Sequence, residues 1–455
     1  MRVRDEAHRT TIHKGVVMAT HLGPFQAAEG AGPGRRTFLK TLGIGAVGVA
    51  GFPLLTACTG GSGPAPGATS KSLTFGSGSS DEVPRNAYKA VTDAFTKKSG
   101  IDVVTNVVPH NDFQNKINSY LQGSPDESFT WFAGYRMQYY AEKGLLAPVD
   151  DVWEKIGGNF SEAMKKASTG PDGKMYLVPN YNYPWGFFYR KSLWAEKGYA
   201  VPATFDELTT LAAKMKADGI IPIGFADKDG WPAMGTFDYI NMRLNGYQFH
   251  IDLTAHKESW DQKKVSDVFD TWKALLPFQD PAALGQTWQD AAKALEAKKT
   301  GMYLLGSFVT QQFTDPAVLA DIDFFPFPEI AMEGTDAVEA PIDGLLLSKK
   351  GGQNQAAHDF LAFMGSAEGQ NAYAAVDTSN IATVKGADTS KYSPLNKKCA
   401  DTIANAKYIS QFLDRDALPA MANNVMIPAL QSFIKDGSVD VKNLEAQAKS
   451  LYAAQ

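Results

Sequence analysis

The sequence predicts an α/β fold, on three observations. Short β-branched or aromatic runs alternate with stretches whose apolar residues recur every three to four positions, as in parallel βαβ units. Gly and Pro fall where the periodic segments end. The chain has 455 residues, and the roughly 400 that follow an export leader are enough for two lobes with separate cores.

The leader comes first. Arg35-Arg36-Thr37-Phe38-Leu39-Lys40 precedes an apolar run from Thr41 to Leu55, then Leu55-Thr56-Ala57-Cys58. A basic segment, a short Gly/Ala-rich apolar segment and small residues before a cut mark a signal peptide. The run, broken by glycines and Pro53, is too short and too weakly apolar to span a membrane. The arginine pair resembles a twin-arginine signal, and Leu-Thr-Ala-Cys resembles a bacterial lipobox. Residues 1–57 are thus expected to be a signal peptide with an extended N-terminus, starting at Met1 or Met18. Cys58 is the expected lipidation site, which places the rest on the extracellular face of the cytoplasmic membrane. An ordinary cleaved leader with an incidental Cys58 is the alternative. Residues 58–72, rich in Gly, Ser, Pro and Ala, read as a flexible tether.

Net charge is −5, and seven basic residues precede Cys58, so the remainder is more acidic still. That balance excludes nucleic acid or an anionic lipid surface as the main partner; membrane contact is expected through the anchor only. Cys58 and Cys399 are the only cysteines, so acylation of the first leaves no intrachain disulfide.

Beyond the tether the elements follow in order. Leu73-Thr74-Phe75 is a short strand; Tyr88, Val91 and Phe95 then mark a helix that Gly100 closes. Val103 to Val108 is a strand stopped by Pro109. Phe113, Ile117, Tyr120 and Leu121 mark a second helix and Phe129 to Phe132 another strand. Thr204 with Glu207 forms a capping box opening a helix with Leu208, Leu211 and Met215 on one face. Ile220 to Phe225 is a buried strand, Val268 to Leu276 a long helix, and Met302 to Leu305 a strand. Phe324 to Phe327 and Leu345 to Leu347 are further strands, before a helix carrying Ala357, Phe360, Leu361 and Met364.

Five stretches, in order, resemble the family 1 extracellular solute-binding proteins of ABC importers. They are Trp131 to Arg136 with Glu142-Lys143-Gly144-Leu145-Leu146 and Pro148-Val149-Asp150; Asp172 to Pro179 with Trp185 to Trp194; and Pro202 to Leu208. The remaining two are Lys299-Thr300-Gly301-Met302 with Gly306-Ser307-Phe308, and Ala340 to Gly344 with Ser366-Ala367-Glu368-Gly369. Many members carry a tryptophan after Gly306; here Phe308 puts a smaller aromatic at that subsite. The resemblance implies a periplasmic-binding-protein-like fold of two lobes, each a mainly parallel sheet flanked by helices, closing on a hinge. Lobe 1 would hold 73–182 and 324–378, and lobe 2 would hold 183–323 and 379–455. It implies a monomer that captures a carbohydrate and delivers it to the transmembrane subunits of an ABC permease, with no cofactor and no catalysis.

A sugar offers hydroxyls and an apolar face, which aromatic rings and a polar rim match. Eight tryptophans are available. Trp185, beside Tyr183 at the first crossing between lobes, and Trp231, in the turn Asp229-Gly230-Trp231-Pro232, are the foremost stacking candidates. Trp131, Tyr135 and Arg136 follow a strand end, where α/β sites form. Asn111 and Asp112, Asp238 and Asn241, Asp343 beside Gly344, and Asp81 are candidate hydroxyl partners. Each has an alternative as a cap or solvated loop residue. Trp153, Trp194, Trp260 and Trp272 sit on helical patterns and read as packing.

Two other classes compete. A lipid-anchored glycosidase would use paired carboxylates, but Asp81-Glu82 and Asp150-Asp151 are ordinary loop pairs, and no Gly-x-Ser-x-Gly or His-Glu-x-x-His motif occurs. His250 and His256 have no third metal ligand at recognisable spacing. A structural or adhesive lipoprotein would need repeats or an exposed apolar patch. Receptors for non-sugar solutes share the architecture and remain an alternative ligand class.

Overall fold

The computed structural model describes residues 70–331 and 337–454. The leader, Cys58 and most of the tether lie outside the described residues, together with the expectations placed on them.

Two main sheets carry the fold. The first comprises β1 (Ser72–Ser77), β2 (Asp102–Val107), β3 (Ser128–Phe132), β4 (Leu146–Ala147), β5 (Leu177–Asn182), β11 (Ile342–Ser348) and β12 (Ile381–Ala382). Its order is β12-β5-β11-β3-β1-β2, with β4 beside β11. β1 runs parallel to β2 and β3, joined by helices Glu82–Ser99 and His110–Gln122. Gly100 closes the first helix as expected, at φ 72°, its N–H donating to the Thr96 carbonyl.

The second sheet holds β6 (Trp185–Arg190), β7 (Ile221–Gly224), β8 (Thr300–Gly306) and β9 (Ile322–Phe325), in the order β7-β8-β6-β9. A separate ribbon pairs β10 (Ala337–Glu339) with β13 (Tyr408–Ser410).

The expectation of mainly parallel sheets is corrected. β11 and β12 run antiparallel to their neighbours, as β6 does to β8 and β9. β6 and β11 reach their sheets from outside them, β6 directly from β5 of the first sheet, so the right-handed helix crossover that enforces parallel pairing does not apply to them. Strand membership also shifts the expected crossings by a few residues. Phe324 and Phe325 pair with β6 in the second sheet, and Ile381 and Ala382 pair with β5 in the first.

The expected helices form where their local signals lie. The Thr204–Glu207 capping box opens helix Phe205–Ala217. Helix Lys263–Lys273 stops short of Leu276, which enters a 3-10 turn with Pro277, because proline cannot continue the ladder. Trp153, Trp194 and Trp272 are buried on helices, whereas Trp260 is buried just before one. Phe75, Tyr88, Phe95 and Phe360 interlock in the first core, Phe360 meeting Phe75 and Phe95 edge-on; in the second, Phe237 stacks on Trp260 and Phe269 meets Phe433 edge-on. Each such ring contributes about 1.5–3 kcal/mol through burial.

Candidate functional site

The loops at the C-terminal ends of β1, β2 and β3 face the second sheet across a cavity of about 430 Å³. Strand ends are where an open α/β sheet leaves a crevice, because successive helices depart to opposite faces. The first-lobe wall carries the polar groups of Ser79, Asp81, His110, Asn111 and Gln114, with Asp343 from β11, set among the rings of Tyr88, Phe113, Trp131 and Phe132. The second-lobe wall is mainly aromatic, built from Trp185, Trp231, Trp288 and Phe308, with Asp229, Gln289 and Gln311 among them. Phe412, Asp414 and Arg415 complete the lining from the C-terminal part of the chain.

The rings form one connected cluster. Trp185 lies 4.9 Å from Phe412 with a 36° tilt, and meets Trp231 and Phe308 edge-on, each at 6.2 Å. Trp288 meets Phe308 at 5.2 Å and 89°. Edge-to-face geometry adds to burial because positive ring edges meet negative faces. Trp185 is only 2% exposed, whereas Trp231 and Phe308 are half-buried, so the latter two present more surface to the cavity. The buried indole N–H groups of Trp131, Trp185 and Trp231 have no partner among the described residues, although a buried donor ordinarily has one.

Polar groups bridge the two walls. Gln289 Nε2 donates to Asp81 Oδ2 at 3.2 Å, and Asn111 hydrogen-bonds Asp229. Arg415 donates to Asp343 Oδ1 at 2.6 Å and to the Tyr183 hydroxyl at 2.9 Å, its guanidinium 3.9 Å from the Phe132 ring centroid. Burial raises the Asp343 carboxyl above its ordinary pKa while Arg415 opposes that rise. Burial likewise raises Asp229. Burial alone would weaken proton binding by Arg415, but Asp343 and Tyr183 more than offset it, so the guanidinium stays charged.

The cavity brings together Trp131, Tyr183, Trp185, Trp231 and Phe308 with Asp81, Asn111, Asp112 and Asp343. Five expected residues lie off it. Tyr135 is half-buried on helix Tyr135–Glu142 and packs against Tyr139. Arg136 is fully buried behind the wall, where it holds Gln114 Oε1 at 2.7 Å and Asp414 Oδ2 at 3.1 Å. Asp238 and Asn241 share a face of helix Pro232–Asn245, buried along most of its length. Asp238 accepts the Leu413 amide at 2.7 Å and Asn241 bonds His250 at 3.1 Å. Gly344 sits inside β11, where a Cβ would lie 2.3 Å from the Val178 carbonyl, so it serves strand packing beside a register shift.

Sequence reasoning missed His110, Gln114, Asp229, Trp288, Gln289 and the 412–415 stretch. Two signals were readable. Thr287-Trp288-Gln289-Asp290 is a capping box that fixes a tryptophan at a helix start. Leu413-Asp414-Arg415-Asp416 packs alternating charge into an apolar neighbourhood. Among the described residues, no group of three or more His, Cys, Asp or Glu could hold a metal ion, and no helix is long and apolar enough to cross a membrane.

A family model for bacterial extracellular solute-binding proteins matches residues 78–371. The chain is similar to the crystal structure of the bacterial solute receptor AcbH, described as having an exclusive preference for β-D-galactopyranose. Identity is 46% and the TM-score 0.82, over 84% of this chain and 99% of that one. A chitin oligosaccharide binding protein is similar in fold, with 23% identity and a TM-score of 0.75 over 85% of this chain and 98% of its own. An uncharacterized ABC transporter extracellular-binding protein of Pyrococcus horikoshii is 23% identical over 320 residues, 70% of this chain and 69% of its own.

Proposed function

The chain belongs to the bacterial extracellular solute-binding protein family, and from that premise we propose that it captures a neutral hexopyranose of the galactose type between its lobes. It then delivers the sugar to the transmembrane subunits of an ABC importer. One observation carries the reading: the cavity sets a connected cluster of aromatic rings, densest on the second lobe, against hydrogen-bonding side chains concentrated on the first. A pyranose has a matching division, with C–H groups on one face and hydroxyls around the ring. The likeness to AcbH at 46% identity supports the sugar class, and a cavity of about 430 Å³ favours a small saccharide over a long chain.

The receptor is a lipid-anchored, non-catalytic monomer that works by hinge closure. Asp81 and Asp229 are both engaged by amides from the opposite lobe, which suits them to latching the lobes. Calorimetry with D-galactose, D-glucose and a chitin disaccharide tests the ligand; saturable binding of galactose at one site per chain is expected. Binding of none of the three, or consumption of the sugar at stoichiometric protein, overturns the reading. Cys58→Ala is expected to leave the membrane fraction, and its persistence there after a high-salt wash removes the anchor.

A further inference from the structure

Phe412 has φ 106° and ψ 143°. An L side chain is strained there, and the surroundings must over-determine such a conformation for it to persist. Its two flanking amides are both tied down. The Leu413 N–H donates to Asp238 Oδ2 at 2.7 Å, and the Gln411 N–H donates to Asp416 Oδ2 at 3.0 Å. The Phe412 carbonyl in turn accepts from the amides of Arg415 and Asp416, each at 2.9 Å. The strained residue is thus clamped on both sides.

The clamp fixes what the stretch reaches. The Phe412 ring, 4% exposed, lies against Trp185 at 4.9 Å and Trp231 at 6.4 Å on the second lobe. Three residues later the same strap faces the first lobe, where Arg415 bonds Asp343 and Asp414 bonds Arg136. Gly134 packs directly beneath, where a Cβ would stand 2.9 Å from the Arg415 carbonyl. A residue with ordinary negative φ at 412 would send the chain elsewhere and lose one wall or the other.

We propose that Phe412 is a positioning residue of the binding site, whose clamped left-handed backbone holds the faces of Trp185 and Trp231 in register with the polar wall that Arg415 and Asp343 supply. The proposal rests on the sugar-receptor reading for its ligand, but the ring placement can be read without any ligand.

The test is a set of variants, Phe412→Leu, Phe412→Gly and Phe412→Tyr, in the full-length protein. Each is measured by near-ultraviolet circular dichroism of the ligand-free state and by calorimetry with D-galactose, with far-ultraviolet dichroism as the check on folding. Phe412→Leu is expected to keep the far-ultraviolet spectrum, change the tryptophan bands and weaken galactose binding tenfold or more. Phe412→Gly, which relieves the backbone but removes the ring, should do the same, separating ring placement from strain. Phe412→Tyr should restore the tryptophan bands and most of the affinity. If Phe412→Leu leaves the ligand-free tryptophan bands unchanged, the positioning role is overturned, whatever happens to affinity. If the parent itself binds no galactose, the ligand reading fails, and the dichroism alone decides the role of Phe412.

Discussion

Gly235 lies beneath the indole of Trp185, where a Cβ would stand 2.4 Å from Cζ3. Replacing glycine by alanine inside a helix favours the folded state by up to about 1 kcal/mol. Here the overlap with a ring pinned by Phe412 and Phe308 costs about 1–3 kcal/mol, so the clash wins. Gly235→Ala is therefore expected to lower the melting temperature and to weaken sugar binding together; an unchanged affinity would show that Trp185 can move without consequence for the site. Arg415 poses the electrostatic counterpart. Its ion pair with Asp343 is 9% and 16% exposed, and removing one partner of a buried pair costs about 3–5 kcal/mol because the other charge is left stranded. Arg415→Ala should show that loss in urea unfolding, and adding Asp343→Asn should recover part of it. Equal stability of the single and double variants would mean that no uncompensated charge is left at Asp343.

At the level of elements, helix Pro232–Asn245 organises the second wall, and a buried carboxylate sits at its start. Asp227 accepts the Ala233 amide at 2.8 Å, its other oxygen has no hydrogen-bond partner among the described residues, and burial pushes its pKa up to about 7. A raised native pKa means the folded state holds a proton that the unfolded chain releases above its ordinary value of 3.8. The associated stability is fully present below that value and is lost as pH rises through about 7, at up to about 1.4 kcal/mol per pH unit. Asp227→Asn, neutral throughout, should match the parent near pH 4 and exceed its stability at pH 8, measured by urea midpoints. A constant offset between the two across that range would refute the shift. Local elements with caps of their own were largely legible beforehand. Gly100 and the Thr204–Glu207 box act within one turn of their own helices, so their residue types suffice to read them. The antiparallel entry of β11 was not legible, because its partners β3 and β5 lie far back in the chain. The site divides in the same way. Trp185 stands out as an aromatic at the crossing between lobes and Trp231 as one in a turn, whereas Arg415 looks like a solvated loop charge until folding sets it against Asp343 and Tyr183. Asp238 and Asn241 misled because three-residue spacing gives them a common face without saying that the face turns inward.

At the scale of the molecule, the polar bridges between the walls and the tie from Ser307 Oγ to the Ser379 carbonyl, 2.7 Å long, belong to a closed arrangement that ligand should favour by binding both lobes at once. Small-angle scattering should give a smaller radius of gyration with saturating sugar than without, and an identical radius alongside proven binding would argue for a rigid receptor. The sheet order has a separate consequence, for how the molecule comes into being. The second sheet is assembled wholly from residues 185–325, but the first leaves its middle position to β11. Until residue 348 has been made and placed, β3 and β5 face each other across a gap, each with an unpaired edge of the kind that recruits other chains. Synthesis from the N-terminus thus produces the first lobe's edges early and their cover late. A route that exports chains only after folding, as the twin-arginine signal expected at Arg35-Arg36 would provide, would keep that vulnerable interval inside the cytoplasm, where chaperones can attend it.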